Sequence, residues 1–277
     1  GSAPAERQVL LVDAQEGTQR PVGPKGALGK PIWSPDGDYI ALPARDSSGA
    51  IRIAVVDCLQ GNTQWLGRAS AHHAAPAWAP NGKRLAYESL PEGARGPEIR
   101  VFDLGAEREE VWGAAQPGLF APVWVSEDSP LVPVLQGVLE ERDAPEAELW
   151  ESVDVARGTG LLAIGFAREG GRGLSTQIFL VLPEAALPLP ATVMPSAGAY
   201  VEWCIAPNPG GTKIAFESND GGDREIYLLT YKGSINLTNH RAADWNPVWA
   251  PNGRWLAFES FRDGRRGVYR VNADTAQ

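Results

Sequence analysis

Apolar residues in this chain come in short runs, alternating or continuous in the manner of strands, and clusters of Pro, Asp, Asn and Gly punctuate them; no long stretch keeps a helical period. One such pattern returns. It reads Pro31-Ile-Trp-Ser-Pro-Asp-Gly-Asp-Tyr-Ile-Ala-Leu42, then Pro76-Ala-Trp-Ala-Pro-Asn-Gly-Lys-Arg-Leu-Ala-Tyr87, then Pro247-Val-Trp-Ala-Pro-Asn-Gly-Arg-Trp-Leu-Ala-Phe258. A stretched copy runs from Trp203 to Phe216 and a degraded one, lacking the Gly, from Pro122 to Pro133. Each copy predicts a strand that ends in Trp, a reversal built by Pro, Asp or Asn, and Gly, and a second apolar strand, which together make a hairpin.

Two further strands follow in most copies, such as Ile51–Asp57 and Thr63–Leu66, so each unit predicts a four-stranded meander. Trp33 and Trp78 are 45 residues apart, Trp78 and Trp124 are 46, Trp203 and Trp249 are 46, and 79 residues separate Trp124 from Trp203. The long gap is read as hiding one unit. Repeats of this length with four strands each predict an all-β, six-bladed β-propeller of four-stranded antiparallel blades, in which the tryptophans Trp33, Trp78 and Trp249 pack between neighbouring blades. The expected blades are 31–75, 76–121, 122–150, 151–200, 201–246, and 247–277 together with 7–22, all in one domain spanning 1–277. The strand at Val9–Val12 is expected to supply the last blade's missing strand and close the ring.

The pattern Pro-x-Trp-Ser/Ala-Pro-Asp/Asn-Gly-x-x-Ile/Leu-Ala-Phe/Tyr resembles the TolB-type propeller repeat. The copy that matches it most fully continues with Ile214-Ala-Phe-Glu-Ser218, Glu225-Ile-Tyr227 and Asn236-Leu-Thr238. The resemblance covers the chain from Pro31 onward and concerns the propeller part alone, with no counterpart of the α/β domain that precedes it in TolB. It implies a protein or peptide partner at the loop-rich end of the channel, and an extracytoplasmic, periplasmic location. The alternatives are a metal-dependent lyase or hydrolase acting on a sugar or peptide in the channel, and a detached gate propeller of a prolyl-oligopeptidase-type peptidase.

Charge narrows the partners. A net charge of −9 and a pI near 5.0, with no cluster of Lys and Arg, argue against nucleic acid. No apolar run long enough for a membrane helix occurs, so direct membrane insertion is not expected, and a monomer is. The two cysteines, Cys58 and Cys204, fall in distant units and are read as packed side chains rather than a disulfide.

In a propeller the loops that enter each first strand gather on one end, where function is expected. Here they carry all three histidines, His72, His73 and His240, together with Phe120, Tyr200, Glu202, Arg241, Asp244 and Trp245. These nine residues are the candidate binding set, since aromatic and Arg side chains are enriched at recognition surfaces. Adjacent histidines point apart in an extended chain and do not converge with His240 as metal ligands, so neither a metal nor any other cofactor is expected. No Gly-x-Ser-x-Gly elbow is present and no catalytic residue is assigned, which favours a non-enzymatic role. A carboxylate recurs after the second strand, as Glu88, Glu217 and Glu259, and a repeat position argues for a structural acceptor.

Overall fold

The computed structural model describes residues 7–114, 118–125, 160–168, 174–181, 186–188, 202–209, 212–219, 222–230 and 233–275. They form an all-β chain with antiparallel sheets and no helix. Two compact units, Gly1–Val111 and Trp112–Gln277, divide it.

In the first unit β1 (Val9–Val12) pairs with β2 (Gln19–Val22). A four-stranded meander follows, with β3 (Ile32–Trp33), β4 (Tyr39–Arg45), β5 (Ile51–Asp57) and β6 (Thr63–Leu66). A second has β7 (Ala71–Trp78), β8 (Arg84–Pro91), β9 (Glu98–Asp103) and β10 (Arg108–Trp112). The facing surfaces of these meanders bury Ile53, Val55, Leu66, Leu85, Tyr87 and Phe102, with Trp78 packed against the cluster. Full burial of one such side chain contributes about 1.5–3 kcal/mol, so this shared layer holds the pair together.

The second unit comprises β11 (Phe120–Val125), β12 (Gly160–Arg168), β13 (Leu174–Val181) and β14 (Ala186–Pro188) in one sheet. Next come β15 (Glu202–Pro207), β16 (Ile214–Ser218), β17 (Glu225–Thr230) and β18 (Gly233–Asn236). The last sheet holds β19 (Asp244–Trp249), β20 (Trp255–Ser260) and β21 (Gly267–Asn272). Ala215, Ile226, Leu228, Leu256, Phe258 and Val271 fill the layer between the two final sheets, with Trp249 packed on it.

The repeated turn is built as its residues dictate. Asp36, Asn81 and Asn252 each accept, through Oδ1, the N–H two residues on, at 3.1, 3.0 and 3.0 Å. The glycines that follow, Gly37, Gly82 and Gly253, take φ of +82°, +70° and +64°, which favours a residue without Cβ. A second signature is not visible in the sequence: every first strand of full length carries a β-bulge, and in three of them the residue before the motif proline is left-handed, Ala75 at φ 45°, Ala121 at 51° and Asn246 at 54°.

Several expectations change. Phe120 pairs with Ile164 and Trp124 with Leu161, so strands assigned by sequence to a third unit at 122–150 and a fourth at 151–200 share one sheet. The degraded turn misled the reading, because the strand that returns to β11 begins only at Gly160. The described residues hold four four-stranded sheets, one of three and one of two. Val9–Val12 is not found as the fourth strand of the last sheet; β1 pairs with β2 alone. In its turn Asp13 N–H donates to Thr18 O and Gly17 N–H to Asp13 O, both at 2.9 Å, matching Asp57 to Asn62 and Gly61 to Asp57 at 2.9 and 2.8 Å between β5 and β6. The hairpin thus turns in the same way as the third and fourth strands of the first meander.

Trp33 is also not where the repeat placed it. It is 55% exposed, whereas Trp78 and Trp249 are partly buried. Trp33 ends a two-residue strand and borders a cleft with Leu11, Val12 and Arg20, so its neighbour in this unit is a two-stranded hairpin rather than a full blade. In the β15 sheet the register sets Pro207 opposite Ile214, the place Trp249 holds opposite Leu256. Trp203 thus lines up with Trp245, four residues before the expected position.

Candidate functional site

The first strands carry the site residues on a common rung. His73 lies opposite Ser89, Glu202 opposite Ser218 and Asp244 opposite Ser260. The sequence named all three as loop residues, while the register makes them equivalent positions of β7, β15 and β19. Phe120 and Trp245 occupy the next rung of their own strands. Tyr200 lies outside the described residues, as do the side chains of Glu202 and Cys204.

In the first unit His73 is buried and His72 exposed, as adjacent strand residues must be. The His73 ring meets Tyr87 edge-on, with centroids 5.5 Å apart, and its Nε2 lies 2.9 Å from the Arg68 carbonyl, so this nitrogen is the donor. Burial pushes the imidazole below its ordinary pKa and favours that neutral form. Gly67 roofs the ring; a Cβ there would come within 2.4 Å of Nε2. Behind it the Tyr87 hydroxyl donates to Glu109, and Arg100 bridges Glu109 at 2.6 Å and Glu98 at 2.7 Å. Burial, then the bond to Glu109, raises the Tyr87 phenol and keeps it protonated. His72 instead borders an open groove of about 440 Å³ whose walls include Gly49, Ser70, Leu90 and Glu92, drawn from three loops at the entry end of β7.

The second unit concentrates charge. Asp244 is fully buried, and its Oδ2 accepts from Arg262 at 2.9 Å. Its N–H reaches the Arg224 carbonyl at 2.6 Å, which fixes the start of β19 against the start of β17. Glu225, also buried, accepts the Thr238 hydroxyl at 2.5 Å and the His240 N–H at 2.8 Å. Burial, the largest cause, and the neighbouring Asp244 push the Glu225 carboxyl above the ordinary carboxylate range, against the pull of the Thr238 and His240 bonds. Glu217, fully buried, takes Arg224 Nε at 2.8 Å and the Asn246 N–H at 2.7 Å. At Glu217 the repeated carboxylate has a structural part, since it accepts a backbone N–H of the following first strand, at the bulge.

Above this layer the recognition groups face outward. His240 and Arg241 are exposed, and His240 Nδ1 accepts the Ala242 N–H at 3.0 Å. Trp245 is half-buried and its ring lies 5.4 Å from the exposed Phe261. The structure thus brings His240, Arg241, Asp244 and Trp245 together on one strand entry, with Asp244 beneath as support. Sequence reasoning met Glu225 and Thr238 only as residues of the repeat and gave neither them nor Arg262 a place in the site. Among the described residues no group of three His, Cys, Asp or Glu is placed to hold a metal ion.

No protein-family model matches the chain. Two curated relatives do: the protein TolB homolog of Chlorobaculum tepidum, 33% identical over 67 residues, and the Tol-Pal system protein TolB of Geobacter sulfurreducens, 48% identical over 46. These stretches cover 24% and 16% of this chain and only 15% and 11% of the relatives. Among solved structures, TolB from Acinetobacter baumannii superposes with a TM-score of 0.60 at 17% identity, over 99% of this chain and 59% of its own. The β-propeller domain of the trilobed protease from Pyrococcus furiosus gives 0.65 at 12%, over 97% and 75%. The fold is a β-propeller fold. Its repeat is the TolB-type propeller repeat.

Proposed function

We propose that the chain is a non-catalytic propeller scaffold, a single domain closed as a ring, that binds a protein or peptide partner through the loop-rich end of its channel outside the cytoplasm. The observation that carries this reading is the pairing of a recognition set, the exposed His240 and Arg241 with the half-buried Trp245, with an ion-pair layer on buried carboxylates that fixes the strand presenting it. Function on loops held by a rigid scaffold is the general design of such folds. The TolB relatives support it; one of them is named as a part of the Tol-Pal system. In the first unit His72 borders a groove of its own.

The test is affinity capture on immobilised chain from an extract of the native cells, repeated with an Arg241→Ala, Trp245→Ala double variant. A partner held by the parent and lost by the variant, with circular dichroism unchanged, supports the reading. Equal retention by both sinks the choice of surface.

A further inference from the structure

Glu225 and Asp244 are the opening residues of β17 and β19, brought side by side by the 2.6 Å bond between Asp244 N–H and Arg224 O. Both carboxyls are buried, and the cations near them are already committed: Arg262 to Asp244 Oδ2 and Arg224 to Glu217. Glu225 uses both oxygens as acceptors, one from Thr238 and one from His240 N–H. Asp244 Oδ1 has no hydrogen-bond donor among the described residues. An uncompensated buried oxygen is destabilising, and two neighbouring carboxylates add repulsion. A single proton on Glu225 removes both penalties at once, because the acid can then donate to Oδ1.

We propose that Glu225 retains a proton donated to Asp244 Oδ1, and that loss of this proton frees the loop of residues 237–243, which makes presentation of His240 and Arg241 responsive to pH. The groups facing Glu225 are Thr238 and the His240 backbone from that loop, Asp244 from β19 and, through Asp244, Arg262; Glu217 and Arg224 form the adjoining pair. Deprotonation places a second charge against Asp244, and the described cations beside it are already engaged, Arg262 with Asp244 and Arg224 with Glu217. Separation of the two strand openings then breaks the bonds at Thr238 and His240 together. The inference stands apart from the identity of any partner.

Hydrogen exchange of individual amides tests it, read by NMR on the whole chain across about pH 5 to 8 after correction for the intrinsic exchange rate. Protection of the His240 amide is expected to fall on the order of tenfold as pH rises, while β20 core amides hold steady. Glu225→Gln keeps a donor for Oδ1 at every pH and should abolish the dependence. Should that variant not fold, Asp244→Asn decides, since it offers an N–H to ionised Glu225 and should also flatten the profile. A flat profile in the parent chain, or a parental profile in the folded variants, overturns the proposal.

Discussion

Two hairpins of one unit carry the same ion pair and put it to different use. In β16–β17, Glu217 and Arg224 stand seven residues apart; in β20–β21, so do Glu259 and Arg266. Glu217 is fully buried, because β19 lies over it and donates the Asn246 N–H. Glu259 and Arg266 remain accessible, and beyond Arg266 Glu259 meets side chains, the Asn246 amide at 3.2 Å and Trp245. The hairpin supplies the pair, and the sheet that follows decides what it is worth. Covered, it ties one blade to the next; uncovered, it is an ordinary surface ion pair.

The contrast breaks first at Glu217. Glu217→Ala would remove the buried carboxylate of the Arg224 pair and leave the Asn246 N–H without its acceptor, at a cost of about 3–5 kcal/mol in urea unfolding. A cost no greater than that of Glu259→Ala would show that coverage is irrelevant. Next, Trp249→Ala should cost about 3 kcal/mol and Trp33→Ala under about 1, because burial rather than the repeat sets the loss. The same measurement decides it. A finer comparison uses phenylalanine: Trp249 Nε1 donates to Ala206 O at 2.8 Å, whereas Trp78 Nε1 has no partner among the described residues. Trp249→Phe should therefore cost about 1 kcal/mol more than Trp78→Phe. The smallest effect is expected at Glu259→Ala, whose unfolding midpoint should stay near that of the parent chain because an exposed pair is screened by solvent.

Titration sharpens the picture through opposite signs. The Arg266 bond, then that from Asn246, hold Glu259 below the ordinary carboxylate range, so its contribution is present above that range and fades as pH falls through the lowered value. Glu225 is raised, so its contribution is complete at acid pH and fades as pH climbs through the raised value. Carboxyl chemical shifts followed by NMR should place the two midpoints on opposite sides of the ordinary one. Coinciding midpoints would contradict the environments described.

The hairpins were readable because Pro-Asp/Asn-Gly determines its own geometry within four residues. What failed depended on residues far apart. The partner of β11 begins at Gly160, beyond any turn signal, and the copy at Trp203 was aligned on its tryptophan although the turn fixes the register. There Asn208 N–H reaches Lys213 O at 2.8 Å just as Ala250 reaches Trp255. Of the site, exposed aromatic and charged loop residues could be listed from composition. The buried layer could not, since nothing local distinguishes Glu225 from Glu98; only the loop that folds over it does.

The bulge in each full-length first strand alters the arithmetic of that strand. Asp244 and Trp249 are five positions apart, an odd count that would ordinarily send them to opposite sides, yet their partners Ser260 and Leu256 share a side of β20. The extra residue acts as a frameshift that keeps the tryptophan and the buried acid in phase. Excising Asn246 would restore simple alternation and rotate one of them away from the layer it completes, so the length of this segment is constrained more tightly than its spelling.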